Sequence, residues 1–124
     1  MKNTILYFLL SITLISCSAK QELIVEHSNP LVTYEGRIKH NYATGTELFW
    51  PGTSVNLNFE GTEIHVVIQD EKGENYYNVI VDNQVVKVLQ PSIKKEKYIL
   101  ASGLSQGKHS LQLYRKTEFS NGKT

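Results

Sequence analysis

Gly103-Leu104-Ser105-Gln106-Gly107 has the pattern G-x-S-x-G, and His109 follows two residues later. A serine so placed can attack an acyl group when a strand turns sharply into a helix and presents its hydroxyl to a histidine base. Here the next residues, His109-Ser110-Leu111-Gln112-Leu113, alternate polar and apolar as a strand does. The pentapeptide is therefore read as a glycine-rich link between two strands, with His109 capping the second. No catalytic residue is assigned.

The other histidines, His27, His40 and His65, have neither i, i+4 spacing nor an H-x-H pattern, so no zinc set is expected. Asp70, Glu71 and Glu74 could bring several oxygens onto one loop, as a calcium ion requires, but the EF-hand order is missing. A charged, solvated turn is the preferred reading, and neither metal nor cofactor is expected. Trp50, Tyr76 and Tyr42 are candidates for stacking on the C–H faces of sugar rings. The competing and preferred reading puts Trp50 with Phe49 at the end of the core.

Charge narrows the partners. The chain has 13 basic and 12 acidic residues, and loss of a leader containing Lys2 would balance them. Lys94-Lys95 is too short a run to form a patch, so nucleic acid is not expected as a partner.

The single cysteine stands at an informative place. After Lys2, the apolar run Ile5 to Ile15 is about half the roughly 20 residues needed to span a bilayer, but it suits a secretory leader. Leu14-Ile15-Ser16-Cys17 resembles a bacterial lipobox, which implies cleavage before Cys17 and acylation there. The expectation is an exported lipoprotein, anchored to a membrane at Cys17 and facing the periplasm or the cell surface. Residues 1–16 are read as signal peptide, 17–30 as a tether with room for a short strand at Leu23-Ile24-Val25, and 31–124 as one domain.

Short strands between turn residues make up that domain. Val55, Leu57 and Phe59 share one face of a strand, as do Ile64, Val66 and Ile68 of the next, and Glu60-Gly61-Thr62 between them reads as a hairpin link. Leu31 to Tyr34 and Gly36 to Lys39 either pair or form one bent strand, and Asn41 to Glu47 reads as loop. Tyr77, Val79 and Val81 are in phase, Asp82-Asn83 is a hairpin-turn candidate, and Val85 to Leu89 returns. Lys94 to Lys97 reads as a solvated link, Tyr98 to Ala101 as a strand, and Ser110 to Lys116 as the last. No window of ten residues has helical periodicity. Strands about every ten residues predict an all-β chain folded as an antiparallel β-sandwich, or jelly roll. Asn121-Gly122 usually introduces a further strand, so the sandwich is expected to lack its last strand or strands.

Several of these segments form an ordered series. Gly36-Arg37-Ile38, Phe49-Trp50-Pro51-Gly52-Thr53-Ser54, Phe59-Glu60-Gly61-Thr62, Asn75 to Asp82, Tyr98 to Leu104, Gly107 to Leu113 and Arg115 to Glu118 come in that order. Together they resemble the N-terminal domain of carbohydrate esterase family 2. The resemblance implies a jelly-roll accessory domain joined to a C-terminal SGNH-type serine hydrolase that deacetylates xylan and related plant polysaccharides. No GDSL-like block occurs in these 124 residues, so no catalytic residue is carried over. The hydrolase domain is the implied partner of the chain. The alternative is a stand-alone carbohydrate-binding surface lipoprotein.

Overall fold

In the computed structural model, residues 20–118 and 122–124 are described. The leader and Cys17 lie outside them. Among the described residues there are nine strands: β1 (Val32–Glu35), β2 (Ile38–Asn41), β3 (Gly45–Leu48), β4 (Ser54–Glu60), β5 (Ile64–Ile68), β6 (Tyr77–Val81), β7 (Gln84–Leu89), β8 (Glu96–Ala101) and β9 (Lys108–Arg115). One layer is a five-stranded antiparallel sheet in the order β1-β4-β9-β6-β7. The facing layer consists of two antiparallel ladders, β2-β3 and β5-β8.

Period 2 decides what lies between the layers. Tyr77, Val79 and Val81 of β6 and Leu111 and Leu113 of β9 turn inward, and all five are buried. They meet Leu48 of β3, Leu100 of β8 and Leu89 of β7, with Ile64, Val66 and Ile68 of β5 packed around them. An all-β sandwich follows from these contacts, as the alternation predicted.

Which strands pair is another matter. The expected hairpin of β4 and β5 does not form: β4 pairs with β1 and β9, and β5 pairs with β8. Gly61 takes φ +143, its N–H donates to the Gly107 carbonyl at 3.0 Å, and the Thr62 carbonyl accepts from Leu104 N–H at 3.0 Å. The link is thereby stapled to the Gly103–Gly107 loop, and the chain crosses from one layer to the other. Two strands with one apolar face each can cover a core from opposite sides as well as from the same side.

Two further expectations change. The stretch read as loop contains β3, which forms a hairpin with β2, its turn closed by Thr44 N–H donating to the Asn41 carbonyl at 3.2 Å. β1 and β2 neither pair nor merge, because Gly36 between them passes against Thr53. A Cβ at Gly36 would lie 2.9 Å from the Thr53 Cα, and its φ of +98 favours glycine. The Asp82-Asn83 turn does join β6 to β7. Both residues have positive φ, 50° and 65°, as a two-residue type I′ turn requires.

No strand forms at Leu23-Ile24-Val25. The segment is held by ion pairs of Lys20 with Glu63 and Glu22 with Lys97, and by Tyr34 Oη donating to the His27 carbonyl at 2.7 Å. At the other terminus, Leu48 and Thr124 exchange both backbone hydrogen bonds, at 2.8 and 3.1 Å. No described helix is long and apolar enough to cross a membrane.

Candidate functional site

The inward row of β9 reads His109, Leu111, Leu113, Arg115, so a potential cation stands at each end of an apolar pair. These two ends, and the loops beside them, are where chemistry could occur.

At the first end the G-x-S-x-G loop meets His109. The ring's Nδ1 lies 2.7 Å from Asp82 Oδ2, and its Nε2 lies 2.8 Å from the backbone carbonyl oxygen of Ser105, not from its hydroxyl. Both neighbours only accept hydrogen bonds, so the geometry suits an imidazolium donating from both nitrogens. The Ser105 carbonyl first, and then the Asp82 carboxylate, raise the His109 pKa above its ordinary value. A ring so held has no lone pair to take a proton from a serine. The Phe59 ring lies beside it, 5.5 Å between centroids. Asp82 Oδ1 also accepts from Ser110 N–H at 2.9 Å, and the Asp82 carboxyl is lowered chiefly by His109. His109 thus ties the loop to the β6-β7 turn.

At the second end lies an assembly that composition and spacing did not signal. Arg115 is fully buried. Its guanidinium donates to the Leu48 carbonyl at 2.8 Å, to Asn75 Oδ1 at 2.7 Å and to the Gly122 carbonyl at 2.9 Å. Asn75 in turn donates from Nδ2 to Asp70 Oδ1 at 2.6 Å, and Thr124 Oγ1 also hydrogen-bonds that oxygen. An amide thus bridges the buried cation to the buried carboxylate. Burial alone would raise the Asp70 pKa, but hydrogen bonds from Asn75, Thr124 and the Glu74 backbone outweigh it and hold the carboxyl low. Burial pushes the neighbouring Tyr77 hydroxyl up to about 12.

The acidic loop therefore differs from the solvated turn expected of it. Glu71 and Glu74 are exposed, but Asp70 is buried and organises the loop by accepting from Lys72 and Glu74 N–H at 3.3 and 3.0 Å. Among the described residues no group of three or more His, Cys, Asp or Glu could hold a metal ion.

The aromatic candidates divide between the layers. Trp50 is 53% exposed and does not fill the end of the core. Its ring instead carries the Arg37 guanidinium, whose carbon is 4.9 Å from the ring centroid and 5.9 Å from that of Phe49. The Phe49 N–H donates to the Arg37 carbonyl at 3.1 Å, so the two segments are joined by backbone as well. Tyr76 is 42% exposed and stands on the other side of β9, where its carbonyl accepts from Lys116 N–H. Trp50 lies in the turn before β4, where its carbonyl accepts from Thr53 N–H at 3.1 Å, Tyr76 immediately precedes β6, and β9 stands between those two strands. Tyr42, 87% exposed, lies on the β2-β3 turn in the other layer and does not join them.

The family described as Carbohydrate esterase 2 N-terminal matches residues 34–124. Cellulase/esterase CelE of Acetivibrio thermocellus is 36% identical over 97 residues, which are 78% of this chain and 12% of that protein. A family two carbohydrate esterase from Clostridium thermocellum, solved in complex with cellohexaose, superposes with a TM-score of 0.69 at 36% identity, over 74% of this chain and 28% of that one. The family two esterase of Cellvibrio japonicus has the same fold at 20% identity, with a TM-score of 0.70 over 76% of this chain and 28% of that one. The matched part of these relatives is thus a minor share of their length. The matched range includes the contacts of Gly36 with Thr53, Arg37 with Trp50 and Asn75 with Arg115. The chain belongs to the carbohydrate esterase 2 N-terminal domain family.

Proposed function

We propose that the chain is the non-catalytic N-terminal β-sandwich of a secreted, lipid-anchored carbohydrate acetyl esterase. A C-terminal serine hydrolase domain would remove acetyl groups from a xylan-like polysaccharide, and this sandwich would pack against it. The observation that carries the reading is the match over residues 34–124, which covers only about a quarter of the solved family two esterases. The His109 ring supports it, since both its nitrogens face acceptors and neither can serve Ser105 as a base. The half-exposed Trp50–Arg37 stack and Tyr76 flank one end of the sheet, and would offer an aromatic and cationic contact to a neighbouring domain.

The test is hydrolysis of 4-nitrophenyl acetate by the purified chain. No turnover above the buffer rate is expected. Turnover abolished by Ser105→Ala would overturn the reading. The anchor is tested separately by metabolic labelling with an alkynyl fatty acid, where a labelled chain that loses its label in Cys17→Ser is expected.

The stand-alone carbohydrate-binding reading draws on the same exposed aromatics. It predicts that cellohexaose or xylohexaose quenches Trp50 fluorescence saturably, and a flat titration removes that support.

A further inference from the structure

The outward face of the five-stranded sheet has a different character from its inward face. The register sets Asn56 of β4 beside Gln112 of β9 and Gln112 beside Ile80 of β6, while Asn58 opposes Ser110 one row further on. Together with Leu31 and Asn83 these residues line an open groove of about 270 Å³. None of the lining side chains is charged, although 25 residues of the chain are. The side chains of Asn58, Asn83 and Gln112 make no hydrogen bond to another described residue. Asn56 donates to Ser54 Oγ at 3.2 Å, which leaves its amide oxygen open.

We infer that this groove binds a neutral oligosaccharide, laid across the strands from β1 toward β6. A primary amide offers donor and acceptor side by side, the pairing that two neighbouring sugar hydroxyls present. The lining side chains offer an anionic or cationic ligand no counter-charge: the next row of the face sets Glu60 opposite Lys108, one charge of each sign, and Asp82 beside Asn83 is already engaged by His109 and Ser110. Leu31 and Ile80 supply apolar surface for the C–H side of a ring. From β1 to β6 the sheet spans three strand spacings, about 14 Å, room for a short run of sugar units. The amides are held in place before a ligand arrives. Asn56, Asn58 and Gln112 stand on paired strands, and the type I′ turn fixes Asn83 with both central residues at positive φ.

This surface shares no residue with the Trp50, Tyr76 and Tyr42 candidates, and β9 places Gln112 away from the segment 122–124 that Arg115 holds. It would therefore remain open to a glycan while the other end of the sheet contacts a partner domain. The inference rests on the groove's own chemistry and stands whether or not the chain serves an esterase.

The test is a titration of the isotope-labelled full chain with cellohexaose and with xylohexaose, followed by amide NMR shifts. Oligogalacturonate, a charged glycan, serves as control. Saturable shifts confined to β4, β9 and the 82–83 turn are expected with a neutral glycan. The double variant Asn58→Ala/Gln112→Ala should weaken binding at least about ten-fold, because two hydrogen-bonding groups are lost. Both substitutions are outside the core, and an unchanged thermal midpoint checks that the fold is intact. No saturable shift with either neutral glycan, shifts centred on Trp50 and Tyr76 instead, stronger binding of the charged control, or a folded double variant that binds as before would each overturn the inference. Its failure is distinct from failure of the esterase reading, which is decided by Ser105-dependent turnover.

Discussion

Strand β9 carries His109 at one end of its inward row and Arg115 at the other, and the two ends solve the problem of a polar group at the rim of a core differently. His109 reaches outward, to a half-exposed carboxylate and a loop carbonyl. Arg115 is enclosed, and its charge is answered by two carbonyls and an amide that relays to Asp70. Partners that stay wet are nearly indifferent to the loss of a contact, whereas enclosed partners have no water to fall back on. The loop that looks like an enzyme is therefore held at the inexpensive end, and the segment with no recognisable motif is held at the costly one.

The largest effect is expected from Arg115→Met. It takes the donor from Asn75 Oδ1 and two enclosed carbonyls and leaves the buried Asp70 carboxylate without its nearby cation, and should lower stability by about 3–5 kcal/mol in urea unfolding. A loss below about 1 kcal/mol would show that the enclosure matters little. Asn75→Leu removes the relay but leaves both charged groups, so about 1–3 kcal/mol is expected for the unpaired groups, less than for Arg115→Met. The opposite ranking would mean that the amide, not the cation, organises this end.

His109→Gln should be milder and should depend on pH. The His109 pKa is raised in the folded state, so its contribution is fully present below its ordinary value of about 6.5 and fades as pH rises through the raised value. The Asp82 carboxyl is lowered, so its contribution is present above its ordinary value of about 3.9 and is lost as pH falls through the lowered value. The gap in thermal midpoint between wild type and variant should thus be widest between those ordinary values and narrower near pH ~9. A gap that stays constant would mean the neutral ring does the same work. Ser105→Ala should be the smallest change, within about 0.5 kcal/mol at any pH, because the loop uses the Ser105 carbonyl and its side chain is on the surface.

Much of the architecture was legible because it is written in period 2. Tyr77, Val79, Val81, Leu111 and Leu113 declare their common face, and Asp82-Asn83 declares its turn. What alternation cannot state is the identity of a neighbour. β4 and β5 each show one apolar face, and the pattern is the same whether they pair side by side or face each other across a core. β3 was missed because Gly45 and Glu47 have weak strand character, and of its four residues only Leu48 is buried. Trp50 misled by its size: Arg37, thirteen residues away, takes the ring as a platform at the rim, and nothing in the spacing announces that contact. The Asp70–Asn75–Arg115 chain was invisible because its members are ordinary polar residues that only the fold brings together. The serine loop was read correctly as a strand link, on the alternation that follows it.

The strand that carries both ends also lies at the centre of its sheet, between β4 and β6, although it is the last of the nine to be synthesised. Until it arrives, β1-β4 and β6-β7 are two separate pairs, each with a bare inner edge. β4 ends about 50 residues before β9 begins, so in a chain delivered N-terminus first that edge stays unsatisfied until those residues have followed. A nascent chain in that interval is open to pairing with the wrong strand or with another chain. Arrival of β9 joins the two halves in one step, so this sheet is closed at its middle, and late.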